Sequence, residues 1–183
     1  MKFILSFLFI SLCCQLNMNA QLMVREIDKK TGKVLLRGLL HVEDIQKETT
    51  CKWFDKGFEN YNPKASTIES LKQMSSDYRF IVFMGTWCED TRNILPKFYK
   101  VIHNARIDYN AVELYGVNRQ KEALNIEHKL YNIHFVPTII VMHQFREVGR
   151  IVESVNSSLE EDLLAIIEKD YYQLEKDKAV KFK

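Results

Sequence analysis

An apolar run followed at once by an amphipathic stretch, with a Trp-Cys pair between them, limits what this chain can fold into. Residues 79–85 predict a buried strand, and residues 90–104 have the apolar spacing of a helix with one polar face. Cys88 therefore lies where a helix begins, and the backbone N–H groups and dipole there stabilise a thiolate. The pattern predicts a strand–helix junction that presents one cysteine.

Beyond residue 65 the chain alternates between helical and strand patterns. The predicted elements are helix 67–75, strand 80–84, helix 90–104, strand 111–117, helix 121–130, strand 138–143, turn 144–147, strand 148–153 and a last helix with Ser157 or Ser158 as N-cap. Such an order predicts an α/β fold in which helices flank a mixed central β-sheet.

Residues 21–65 predict an N-terminal extension to that domain. A hairpin is expected from Leu22 to Leu40 with its turn at residues 29–32, followed by a short helical stretch around residues 43–45. Aromatic residues at positions 54, 58 and 61 then recur at helical spacing. We expect them to pack against the main body of the protein, with ligand binding as the alternative.

The first 20 residues have the composition of a secretory signal peptide. Lys2 is their only charged residue, and an apolar run extends from Phe3 to Cys14. We expect cleavage after Ala20 and export to the periplasm or cell envelope. Alternatives are an uncleaved anchor and a lipoprotein acylated at Cys13 or Cys14. The predicted division is a signal peptide over 1–20, the extension over 21–65 and the main domain over 66–183.

Composition excludes several classes of function. A net charge of +2 without a basic tract gives no footprint for nucleic acid. The five histidines and four cysteines show no metal-ligand spacing, and no glycine-rich phosphate loop occurs, so we expect no metal and no cofactor. Once the signal is removed only Cys51 and Cys88 remain, too few for a disulfide-stapled scaffold.

Several residues together resemble the thioredoxin-like superfamily. Trp87 precedes the cysteine as in that family, Pro96 lies at the position of the proline that kinks the active-site helix, and Gly149 matches a glycine of the last strand. Residues 136–138 (Val-Pro-Thr) resemble the cis-proline loop beside the reactive sulfur. The resemblance covers residues 66–170, is nearest to exported bacterial members, and implies a thioredoxin fold.

That resemblance also assigns roles to individual residues. It implies a substrate groove formed by Trp87, Val136, Pro137 and Thr138. Cys88 would be the nucleophile, while Thr91 stands where the family has its resolving cysteine. The Thr91 hydroxyl is expected to hydrogen-bond the thiolate, but it cannot attack a disulfide.

Two other departures weaken the expected activity. Val82 replaces a buried aspartate that assists proton transfer in the family, and the charges of Glu89 and Asp90 oppose a nearby thiolate. The implied function is an exported monothiol disulfide oxidoreductase. Its expected partners are client protein thiols or disulfides and a low-molecular-weight thiol or a reductase.

Two alternatives stay open at this level. The chain is either such an oxidoreductase or a redox-inactive module that binds peptides in the groove between Trp87 and Pro137. Cys51 is either a resolving thiol folded over Cys88, able to pair with it, or a buried unreactive residue. We favour the buried residue, although spacing alone does not decide, because a disulfide requires Cα atoms within about 7 Å.

Overall fold

The computed structural model describes residues 22–181, so the predicted signal peptide and its cleavage or acylation sites lie outside it. Within that range no helix is both long enough and apolar enough to cross a membrane.

The described chain alternates strands and helices in an α/β order. The elements are β1 (Met23–Ile27), β2 (Val34–Leu40), α1 (Val42–Lys47), a 3-10 turn (Thr49–Cys51), α2 (Trp53–Asn60), α3 (Ala65–Met74), β3 (Tyr78–Met84), α4 (Glu89–Asn104), a 3-10 turn (Tyr109–Ala111), β4 (Val112–Gly116), α5 (Glu127–Leu130), β5 (Thr138–His143), β6 (Arg146–Val152) and α6 (Leu159–Lys181).

All six strands form one mixed sheet in the order β1-β2-β4-β3-β5-β6. The central pair β3 and β4 is parallel, and every other neighbouring pair is antiparallel. The N-terminal hairpin joins through β2, whose Gly38 lies opposite Gly116 of β4. The extension therefore contributes two strands to the same sheet as the main domain.

Alternation along β3 divides the apolar interior into two clusters. Phe80, Val82 and Met84 belong to the larger one, which also receives residues from α1, α2, α3, α4 and α6. Ile81 and Phe83 belong to the smaller one, which the segment between β4 and β5 covers. Cys88 is a member of this smaller cluster.

Most of the elements predicted from the sequence are confirmed. The N-terminal hairpin, the short helix α1, the strands and the helix after Cys88 all lie within a few residues of their predicted bounds. Ser158 caps α6, since its Oγ accepts a hydrogen bond from Glu161 N–H at 3.4 Å. The turn between β5 and β6 is tighter than predicted, because only Gln144 and Phe145 separate the two strands.

The predicted helix over residues 121–130 is wrong in its first half, since only Glu127–Leu130 is helical. The Asn118 side-chain oxygen accepts the backbone N–H groups of Gln120 and Glu122, each at 2.9 Å. Lys121 has a left-handed φ of 64°. The Asn118 side chain thus accepts backbone N–H groups that would otherwise donate within a helix, and the segment forms a turn.

The aromatic residues of α2 pack against α4, as predicted. Phe54 is buried, and its ring meets that of Tyr99 edge to face with 5.6 Å between centroids. A Cβ on Gly57 would lie 2.8 Å from the Pro96 ring, so the two helices are in close contact there. The extension therefore supports the helix that begins beside Cys88.

We expect Phe54→Ala to lower the free energy of unfolding by about 3–5 kcal/mol, because it opens a cavity between α2 and α4. Urea unfolding followed by circular dichroism measures this. Phe145→Ala removes the same side chain from a fully exposed position and is the matched control, with no expected effect. Equal stability of the two variants would contradict a structural role for the extension.

A buried carboxylate ties α6 to the sheet. Asp170 accepts hydrogen bonds from Tyr78 at 3.0 Å, from His143 Nδ1 at 2.7 Å and from Arg146. Burial raises the pKa of Asp170, but the hydrogen bonds from Arg146, His143 and Tyr78 outweigh it, so the pKa lies below the usual value. Three strands are thereby joined to one helical side chain.

Folding lowers the pKa of Asp170. Its hydrogen bonds therefore stabilise the protein fully at pH values above the unfolded carboxyl pKa of about 4, and this stabilisation is lost as the pH falls through the lower pKa of the folded state. We expect Asp170→Asn to cost about 2 kcal/mol at pH 7, since charged hydrogen bonds are lost. The gap between the wild type and the variant should shrink at pH 3. Urea unfolding at both pH values measures it, and a gap that is constant with pH would refute this role.

Candidate functional site

The junction between β3 and α4 positions Cys88 through backbone hydrogen bonds. Cys88 N–H donates to Gly85 O at 2.9 Å, and Cys88 O accepts from Arg92 N–H at 3.2 Å. Cys88 has extended backbone angles and is the N-cap residue of α4. The thiol therefore lies at the positive end of a helix of 16 residues.

The Cys88 sulfur faces the loop that precedes β5. Its thiol donates to Val136 O at 3.1 Å, and the Val136–Pro137 peptide bond is cis. Only 9% of Cys88 is exposed, while neighbouring Phe135 is 52% exposed. Cys88, Val136 and Pro137 thus meet at one place. Little of the cysteine is therefore accessible to a partner.

Thr91 lies one turn further along α4, fully buried, and serves the backbone of the loop. Its Oγ1 accepts Gly85 N–H at 3.3 Å. The structure gives this side chain no hydrogen bond to the Cys88 thiol, so the predicted hydrogen bond between the hydroxyl and the sulfur is absent. Gly85 N–H is buried at the end of β3 and needs an acceptor, which the threonine hydroxyl supplies.

Trp87 is held by contacts to its ring and by a hydrogen bond at its nitrogen. Its Nε1–H donates to Val117 O at 3.1 Å. The Arg119 guanidinium lies 5.1 Å from the ring centroid, and a Cβ on Gly85 would come within 2.7 Å of the ring on another side. The indole therefore forms a fixed wall beside Cys88.

A carboxylate from the N-terminal hairpin holds Arg119 in place. Asp28 is buried and accepts from Arg119 Nε at 3.0 Å and Nη2 at 2.7 Å. These hydrogen bonds and that from Thr31 lower the pKa of Asp28 well below its usual range. Sequence reasoning missed both residues, because 91 positions separate them and no motif links them.

Arg92 is a third residue that sequence reasoning missed. Its Nε and Nη2 donate to Thr86 O at 3.2 and 3.0 Å, so the guanidinium braces the loop before Cys88. Its position, four residues after Cys88 on the same helix, is the one sequence signal that could have identified it.

Cys51 is buried and free, and so is Cys88; the structure contains no disulfide between them. Cys51 belongs to the larger cluster with Phe54, whereas Cys88 belongs to the smaller one. Burial raises the pKa of the Cys51 thiol, which disfavours its reactive thiolate. The prediction of a buried cysteine agrees with this placement, and pairing with Cys88 does not.

Other residues around the site differ in their burial. Glu89 and Asp90 are exposed, and Val82 is fully buried within the larger cluster. His134 is exposed and hydrogen-bonds Asn132 at 2.8 Å. Thr138 follows the cis-proline, buried, with its hydroxyl donating to Phe135 O at 2.8 Å. Among residues 22–181 no group of His, Cys, Asp and Glu side chains could hold a metal ion.

We expect Thr91→Val to destabilise the protein by about 1–3 kcal/mol, because Gly85 N–H loses its buried acceptor. Thr91→Ser keeps the hydroxyl and is the matched control, expected to cost less, at most about 0.8 kcal/mol for the lost methyl group. Chemical denaturation of the two variants measures the difference. A valine variant as stable as the serine variant would show that the hydroxyl is not needed.

Fold and site together define an α/β protein with a mixed six-stranded sheet and one buried cysteine at a helix N-terminus. No protein-family model matches the chain, and no curated protein matches it. A protein of unknown function from Pseudomonas aeruginosa is 20% identical over 66% of this chain and 82% of its own, with a TM-score of 0.48. An HIV epitope scaffold has the same identity and coverage, with a TM-score of 0.45. Resemblances this weak say nothing about function.

Proposed function

We propose that the chain is an exported thioredoxin-like protein that uses Cys88 as a single nucleophilic thiol in disulfide exchange. The observation that carries the proposal is the meeting of three features at one sulfur. Cys88 caps the N-terminus of α4, follows Trp87, and contacts Val136 O just before the cis-proline. A thioredoxin fold is part of this proposal, and so is export by the predicted signal peptide.

The reaction begins when the Cys88 thiol loses its proton to solvent and gives up its hydrogen bond to Val136 O. The thiolate attacks one sulfur of a client disulfide, so that a Cys88–client disulfide forms and the second client sulfur leaves as a thiolate. The positive end of α4 stabilises the attacking thiolate. Val136 O, freed of its donor, becomes available to a backbone N–H of the client.

Release of the client requires a second molecule. Thr91 has no thiol, and Cys51 is buried in the other cluster with a raised pKa. An incoming thiolate therefore attacks the client sulfur of the mixed disulfide and displaces Cys88 as a thiolate. That thiolate comes from a low-molecular-weight thiol or from a reductase.

A redox-inactive peptide-binding module is the second candidate, favoured by the low exposure of Cys88. Cys88 is 9% exposed and its thiol is hydrogen-bonded to Val136 O, whereas neighbouring Phe135 is 52% exposed and free to contact a partner. In that case the groove between Trp87 and Pro137 would bind an extended peptide without any exchange at the sulfur.

We expect native protein treated with excess 2-hydroxyethyl disulfide to form one mixed disulfide, located at Cys88 by peptide mass spectrometry. Cys88→Ser should abolish the adduct because the nucleophile is gone. Cys51→Ser is the matched control, since it removes the other described cysteine and should leave the adduct intact. Retention of the adduct in Cys88→Ser, or its absence from the native wild type, would refute the oxidoreductase and favour the binding module.

A further inference from the structure

A small cleft lies where the turn of the N-terminal hairpin meets the loop before Cys88. Its volume is about 160 Å³, and its walls include Lys33, Trp87, Arg92 and Arg119. Hairpin residues form one side, and the β3–α4 junction forms the other. The cleft therefore adjoins the site of the proposed function, although none of the exchange chemistry above uses it.

The cleft carries more positive than negative charge. Three of its lining residues are cations, Lys33, Arg92 and Arg119, whereas Asp28 is its one carboxylate. Asp28 is already engaged by two nitrogens of Arg119. Two positive charges are left without a counter-charge among the lining residues.

Those two cations have free hydrogen-bond donors. Arg92 uses Nε and Nη2 on Thr86 O, which leaves Nη1 without a partner among the described residues. The Lys33 ammonium has no ion pair or hydrogen bond with any residue from 22 to 181. A guanidinium edge and an ammonium in the same cleft are the groups that bind a carboxylate.

We propose that this cleft binds the carboxylate arm of a small anionic disulfide or thiol that exchanges with Cys88. The assignment rests on the proposed function and names the class of its second reactant. In the step, the Cys88 thiolate attacks one sulfur of the small disulfide. A Cys88–S–S–R bond forms, and the other half leaves as R–S⁻.

The size of the cleft favours a small molecule over a protein segment. Its volume of about 160 Å³ is below the roughly 300–1,000 Å³ of pockets for drug-sized ligands, so it suits a carboxylate with a short alkyl arm. Thr86, Trp87 and Arg92 all line the cleft and flank Cys88 in the chain, so a bound arm lies next to the segment that carries the reactive cysteine.

Three small disulfides of similar length differ in charge: 3,3′-dithiodipropionate is an anion, 2-hydroxyethyl disulfide is neutral and cystamine is a cation. Comparing their rates of reaction separates the effect of charge from the intrinsic reactivity of Cys88. The measurement is the rate of mixed-disulfide formation at Cys88, at fixed pH and ionic strength. The anion should react fastest and the cation slowest. Lys33→Gln should lower the ratio of the anionic to the neutral rate about 2- to 5-fold, the range of an exposed ion pair.

Lys29→Gln is the matched control, because Lys29 is exposed in the same turn, changes the net charge equally and does not line the cleft. Its rate ratio should equal that of the wild type. A ratio that is unchanged in Lys33→Gln, or that falls equally in both variants, would overturn the proposal. In the second case the cause is the general field of the protein and not the cleft.

A binding measurement separates failure of the cleft from failure of the proposed function. In Cys88→Ser, titration with 3,3′-dithiodipropionate should shift the Arg92 Nε–H and Trp87 indole N–H resonances saturably, and Lys33→Glu in that background should abolish the shift. No shift, or a shift with an acidic peptide alone, would overturn the cleft assignment. A saturable shift in Cys88→Ser, with no exchange by the wild type, would refute the oxidoreductase and retain the anion site.

Discussion

Backbone groups just after β3 no longer pair with a neighbouring strand and need other hydrogen-bond partners. Residues in the first turn of α4 supply them. Thr91 Oγ1 accepts Gly85 N–H, the Arg92 guanidinium donates to Thr86 O, and Arg92 N–H donates to Cys88 O. The same turn that carries the cysteine thus holds the loop that presents it. This explains how a threonine at position 91 serves the fold without a hydrogen bond to the sulfur.

The N-terminal extension is as much a part of this site as the loop itself. Its β2 pairs with β4, its α2 packs against α4, and its Asp28 orients Arg119 over Trp87. Cys51 lies in the same extension, yet its contribution is packing, since it is buried near Phe54. The extension shapes the surroundings of Cys88 without bringing a second sulfur to it.

Local signals in the chain predicted most of the fold. Three elements could be predicted because each depends on residues only a few positions apart: the apolar strand β3, the amphipathic helix α4 and the hairpin of the extension. The helix over 121–130 was mispredicted because Asn118 diverts backbone donors into a turn. Periodicity alone carries no information about that competition.

The sequence by itself determined that one cysteine begins a helix after a buried strand, because strand and helix periodicities meet at Cys88. It also predicted that the Val136-Pro137 segment lies beside Cys88, because the segment resembles the cis-proline loop of the thioredoxin-like superfamily. Only the tertiary structure decided that Cys51 belongs to the other cluster and that Asp28 holds Arg119 over Trp87. Those contacts join residues far apart in the chain, and their geometry follows from how the sheet and helices pack rather than from any local pattern.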